Sequence, residues 1–510
     1  MTSETLEIAA DFVVVGGGSA GCVVATRLAE YGFETILISS GSNDTENPIM
    51  KLKSSYSQLY KSPQFKHYLV PEPSPNLNNR TINVTVWNTL GGSSVNDGGM
   101  ERMMANDWNA FVQATSDESF NHQHMAKYYK MSESFTSTDP SFASEIHGHS
   151  GPIKVTKTHD TAFNKVWKNV AKEIGEVFSD DLAGSIDYGF SFEASSLTND
   201  VRSWSGDAYL ISAVARYSNL KVILDATVIK FDLNAETKRI NQVIFVSSDG
   251  LHSAVARKEY ILSAGAFYSP HLLMLSGIGD SHVLKQNKIA VRHELKQVGK
   301  NLMDNGAVVV KYLTTGSDTG LSAPVALVNT RLPTTNYNPN LFFLLHRNDK
   351  TKHLYAVIFN ASPSSTIGSV SLYNSNPLVP PKINLNYLES EDDIKTFVDG
   401  IHYVRKVMST NAMNEHMQAT EISPGTEEID LSMYVRNTLT ASNHFIGTCS
   451  MGESAQNSVV NSRFKVHGIS NLRVVDGSVF PAGFASKTGP LQTIYSLAEK
   501  AAHLLHEEYS

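Results

Sequence analysis

The chain has 510 residues, 41% of them hydrophobic and 18% charged, which suits a folded protein with two to four domains' worth of core and excludes a disordered one. Its net charge is −8, and its Lys and Arg residues form no run or stripe, which excludes nucleic acid and anionic membrane as expected partners. No apolar run approaches the roughly 20 residues that a membrane helix needs, so no membrane span is predicted.

The N-terminal stretch MTSETLEIAADFVVVGGG has no charged segment leading into an apolar one. No secretory signal is therefore predicted, and the expected compartment is the cytoplasm. Cys22 and Cys449 sit among packing residues, so no disulfide is expected. The Asn-x-Ser/Thr triplets at Asn43, Asn79, Asn83 and Asn360 are read as chance.

The elements follow in chain order. DFVVV predicts a buried strand, CVVATRLAEYG an apolar helix and ETILISS a second strand, which together make a βαβ opening. Residues 81–130 are glycine-rich and then polar. AFNKVWKNVAKEIG and AYLISAVARYS predict helices, and LKVILDATVIKFDL carries a strand signal. NQVIFVSSDGLHSAVARKEYILSAGA predicts a hairpin turning at Asp-Gly. GAVVVKYLTT, NLFFLLHR, HLYAVIFNAS and GSVSLYN predict an antiparallel sheet, followed by the helix EDDIKTFVDGIHYVRKVMS. From about residue 441 the chain returns to strand, loop and helix. The absence of a Ser/Pro linker predicts interleaved domains.

Between the first strand and helix lies GGGSAG, which is Gly16-x-Gly18-x-x-Gly21. Gly16 permits the tight turn, Gly18 lets the backbone approach a diphosphate, and Gly21 allows close helix–strand packing. Ser19 and Ala20 open the helix whose N-terminus favours anionic phosphates. An acidic residue at the end of the second strand normally bonds a ribose hydroxyl, but here Ser39 and Ser40 stand in its place. Serine makes that bond without charge assistance, so the expectation is weaker binding compensated elsewhere, or loss of the cofactor.

Beyond this point the sequence resembles the glucose–methanol–choline (GMC) oxidoreductases, which bind FAD. LGGSSVNDGG (Leu90–Gly99) resembles the family's first signature and GAFYSPHLLMLSGIG (Gly265–Gly279) its second. VGKNLMDN is similar to the segment that leads into the substrate domain, and NHFIGTCSMG and NLRVVDGSVFP to the C-terminal motifs. The resemblance covers nearly the whole chain. It implies an α/β fold with a Rossmann-type FAD-binding domain around a parallel sheet, interleaved with an antiparallel (α+β) substrate domain. The expected segments are 8–150, 196–304 and 441–510 for FAD, and 151–195 and 305–440 for substrate. Gly91, Gly92 and Ser93 are expected to line phosphate and flavin edges. Val228 is expected to meet the adenine, and Asp476 and Gly477 to border the cofactor. In the second signature Pro270 is expected to start a helix that Gly277 and Gly279 end. No metal site is assigned.

The implied reaction oxidises an alcohol to a carbonyl, with the flavin accepting hydride and oxygen or another electron acceptor reoxidising it. His444 stands where the family places its active-site histidine, and a neutral imidazole suits a general base. The resemblance implies a second catalytic residue, His or Asn in most of the family, six positions after the proline of DGSVFP. Counting from Pro481 lands on Lys487, whereas counting back from the last helix lands on Gly489. Lys487 is taken as the second catalytic residue, a cation able to stabilise an alkoxide or reduced flavin. Asp97 stands where the first signature usually has Asn, and a Lys487–Asp97 pair would reconcile both departures. Asn305 replaces the usual histidine, as in lyases of this fold. Two alternatives stay open: a hydroxynitrile-lyase-like enzyme in which FAD is structural, and a decayed relative that binds a small molecule.

Overall fold

The computed structural model describes residues 7–96, 98–137, 144–157, 162–182, 188–316, 324–331, 338–348, 350–364, 367–425 and 429–510. Its larger sheet is built around the first strand, Glu7–Val15. Phe12, Val13 and Val14 are fully buried, so this strand reads as a continuous apolar run rather than an alternating one. Thr35–Ile38 and then Leu220–Ile223 extend the sheet in parallel on one side. On the other side Gly250–Leu262 pairs in parallel with the first strand. The beginning of that long strand also forms the expected hairpin with Arg239–Ser247, to which Thr227–Asn234 adds antiparallel. Its last three residues pair in parallel with Leu472–Val474, which brings the carboxyl-terminal part of the chain onto the same sheet.

LKVILDATVIKFDL, read as one strand signal, is two strands at opposite edges of this sheet. The break falls at Asp225, whose φ of 51° is left-handed and ends the extended run.

The second sheet has six strands, in the order Ala419–Ser423, Ala307–Thr314, His353–Asn360, Leu341–Asn348, Pro324–Val328 and Gly189–Phe192, antiparallel throughout. The helix Glu391–Met408 packs on it, capped where Ser390 accepts from the amide of Asp392. GSVSLYN does not join this sheet. Ser369–Ser371 pairs with Lys382–Asn384, because Gly368 and Val370 are bonded instead to Leu302 and Gly299.

The helix of the second signature begins at Gly265, not at Pro270, which lies inside it. Proline removes the N–H that the Ala266 carbonyl would have received, and the hydroxyl of Thr448 donates to that carbonyl at 2.6 Å instead. The distant C-terminal motif thus makes the proline tolerable. Among the described residues, no helix is long and apolar enough to cross a membrane.

Candidate active site

Parallel strands end together at one edge of the larger sheet, and the turns that follow them meet there. They supply Gly16–Ala20, Ser39–Gly41, Ser263–Tyr268 and Asp476–Gly477 to the wall of one cleft of about 510 Å³. Gly92, Ser93, Ala226–Val228, residues 443–445, Pro490 and Leu491 complete much of the rest.

At one end of the cleft the helix Ser19–Glu30 points its N-terminus inward. No side chain caps it, and its first turn carries no acidic residue, so its amides are left for a ligand. Gly16 has φ +105°, and a Cβ at Gly21 would overlap the Gly16 carbonyl oxygen, so the turn and the helix fit only as glycine. Gly18 faces Gly92, where an added Cβ would lie 3.1 Å from the Gly18 Cα. Gly91 sits behind this wall and its amide bonds the Gly17 carbonyl at 2.8 Å. Bare amides flanked by side-chain-free backbone fit a diphosphate.

Ser39 and Val228 line the same cleft. The Ser39 hydroxyl is buried and accepts from the amide of Gly41 at 3.2 Å. Asp476 also lines the cleft, but its oxygens are engaged within the chain, by the amides of Gly265 and Ser478 and the hydroxyl of Ser269. Burial pushes its carboxyl up, and these donors pull it back. Asp476 therefore braces the wall and ties the second signature to the C-terminal motif.

His444 lines the cleft, half-buried, with its ring stacked on Phe359 at 5.9 Å between centroids and 19° between planes. Its backbone amide donates to Asp304 at 2.7 Å. Among the described residues no hydrogen bond occupies its ring nitrogens, which leaves them for a ligand.

Lys487 stands elsewhere. Its ammonium pairs with Asp107, and both line a second cavity of about 550 Å³ with Asn106, Gln113, Ser362 and Pro363. Burial pushes the Asp107 carboxyl up and the lysine pulls it back. The Asn305 amide donates to the Ser486 carbonyl at 2.8 Å and to the Asn360 carbonyl at 2.7 Å, which pins the loop just before Lys487. Beyond that anchor the chain carries Pro490 and Leu491 into the cleft wall. Asp97 lies outside the described residues, and with it the suggested pair; the partner of Lys487 is Asp107.

Several cleft residues carried no prior assignment. The second signature, read only for its helix, contributes Phe267, Tyr268 and His271 to the wall. Burial pulls the His271 imidazole down to about 4 and pushes the Tyr268 phenol up to about 12, so both stay uncharged near neutrality. The Tyr268 hydroxyl reaches His67 Nε2 at 2.9 Å. The aromatic residues and histidine inside that signature were the available signal. Asp304 was visible only as part of a lead-in segment.

A parallel-sheet turn that fits a diphosphate, continuous with a half-buried imidazole, marks a dinucleotide-binding enzyme. Two family models described as GMC oxidoreductase match residues 10–306 and 363–498. The chain is 30% identical to a glucose dehydrogenase (FAD, quinone) of Drosophila melanogaster, over 97% of its length and 86% of the relative's. It is 28% identical to an oxygen-dependent choline dehydrogenase of Photobacterium profundum, over 92% of the chain and 89% of the relative. Its fold matches that of a formate oxidase with a TM-score of 0.89 at 22% identity, covering 99% of each chain. The chain belongs to the GMC oxidoreductase family. It is an FAD-dependent enzyme that oxidises an alcohol, a reading these relatives support over the lyase alternative.

Proposed function

We propose that His444 is the general base of this oxidoreductase and that the substrate is a small primary or secondary alcohol bound beside it. One observation carries the reading: a single cleft runs from the uncapped helix turn near the amino end of the chain to the His444 imidazole near the carboxyl end. Gly16, Gly18, Ser19, Ala20, Gly21, Gly91, Gly92 and Ser93 would hold the diphosphate of FAD, and Ser39 and Val228 its adenosine end. Asp476 and Gly477 would keep the wall between them rigid. When bound, FAD supplies the acceptor for the hydrogen and electron pair that leave the alcohol carbon. A ring nitrogen of His444 takes the hydroxyl proton as the carbonyl forms. Phe359 steadies that ring, and the apolar Pro490 and Leu491 exclude water from the same wall. Oxygen or another acceptor, such as the quinone in the name of the Drosophila relative, completes the turnover.

The direct test is spectroscopic. Purified protein should carry flavin absorbance, or gain it on addition of FAD, and an alcohol panel should bleach it without oxygen. A protein that neither carries nor takes up FAD, or a flavin that no alcohol in the panel bleaches, would overturn the reading.

A further inference from the structure

We infer that Asp304 is a positioning residue for the reaction: its carboxylate holds the backbone of residues 442–444 and so sets where the His444 imidazole stands. This rests on the reading of His444 as the base.

Asp304 is 4% exposed, which leaves no water to compete for its oxygens. Oδ1 accepts from the amide of His444 at 2.7 Å and from the hydroxyl of Ser442. Oδ2 accepts from the amide of Ser442 at 2.9 Å, the hydroxyl of Tyr387 and, at 3.4 Å, the amide of Gly306. Three of these donors belong to Ser442 and His444, which flank Asn443 at a left-handed φ of 63°. The carboxylate thus closes a tight turn whose last residue is the proposed base. Burial, and the Asp304 charge after it, push the Tyr387 phenol well up, so that hydroxyl keeps its proton and donates.

The residues on either side of Asp304 are tied to the same site. Met303 and Ile446 exchange backbone hydrogen bonds at 3.0 and 3.1 Å. Asn305 binds the carbonyls of Asn360, next to the Phe359 ring on which His444 leans, and Ser486. One tripeptide, 303–305, therefore references the imidazole's backbone, the ring behind it and the loop leading to Pro490.

Asparagine at 304 keeps the shape of the carboxylate but only one acceptor oxygen. Its NH2 would face donors, and one of the two amides of the 442–444 turn would lose its acceptor. The turn then relaxes, and the base leaves its place with no change in the substrate's or cofactor's own contacts.

The test is a double-mutant cycle with flavin content, KM and kcat as readouts. Asp304→Asn should lower kcat by ~100-fold, the cost of a misplacement on the order of 1 Å, with flavin per protein unchanged and KM within roughly threefold. Ser442→Ala should act in the same direction with a smaller loss. In the His444→Ala background both substitutions should cost nothing further, because they act through a side chain already absent. A general structural role would instead lower flavin content and multiply the loss in both backgrounds. Asp304→Asn with kcat within about twofold of the parent, or equal fold losses in both backgrounds, overturns the inference. If Asp304→Asn does not fold, Ser442→Ala decides by the same comparison. Parental turnover in His444→Ala alone overturns the base assignment and this inference with it; lowered turnover there with additive Asp304 or Ser442 losses overturns only the inference.

Discussion

At the glycine end of the cleft, one contiguous stretch of strand, turn and first helical turn supplies the uncapped amides, backed by the tight turn at Gly91–Ser93, and it presents no charged side chain. At the imidazole end, segments around residues 304, 359, 443, 486 and 490 meet, held by a buried carboxylate and a buried amide. Backbone recognition is local because its geometry follows from a few torsions and from missing Cβ atoms. A reactive side chain must be placed to a fraction of an ångström by partners that the chain brings from far apart. The carboxyl-terminal loop supplies a third case. Its one cation, Lys487, is drawn to a buried carboxylate, so its place is set by electrostatics rather than by its distance along a motif.

Breaking each part should cost differently. His444→Ala should lower the rate of anaerobic flavin reduction by an alcohol by ~10²–10⁴-fold while flavin stays bound, if the proposed base is the imidazole; a rate within twofold of the parent, by stopped-flow absorbance, would show that the imidazole takes no part.

Lys487→Met should spare turnover per bound flavin but destabilise the fold by about 3–5 kcal/mol in urea unfolding, because it strands a buried carboxylate. That cost should depend on pH. Without the ammonium, Asp107 binds its proton more tightly in the folded than in the unfolded chain. The deficit therefore shrinks as pH falls and widens as pH rises through the raised folded pKa. A large fall in turnover at unchanged stability would instead return Lys487 to the catalytic place.

The glycine end should fail in binding rather than in folding. A Cβ at Gly18 meets only the Ser263 carbonyl oxygen, at 3.8 Å, so the fold tolerates Gly18→Ala. FAD affinity should fall by about tenfold, or ~1.4 kcal/mol, by fluorescence titration of apoprotein, with the apoprotein's melting temperature unchanged. The smallest effect belongs to Ser39→Ala. Losing the hydroxyl that accepts from Gly41, and with it the one neutral hydrogen bond expected to a ribose hydroxyl, should cost about 1 kcal/mol of FAD affinity in the same titration.

Much was legible in the amino-acid order alone: the βαβ opening, the hairpin (whose turn falls at Ser248-Asp249, one residue before the Asp-Gly expected), the antiparallel second sheet, the glycine turn and the family. Each depends on periodicity, turn residues or backbone shape, which act over a few positions. Tertiary structure decided what those signals could not reach. It split LKVILDATVIKFDL across two edges of one sheet, ran a helix through Pro270 because Thr448 takes up the freed carbonyl, and turned Lys487 towards Asp107. It also closed Asp304 around the backbone of His444. For Pro270, Lys487 and His444 the deciding partner lies far along the chain, and a buried charge or carbonyl finds its partner by packing in space rather than by spacing in sequence.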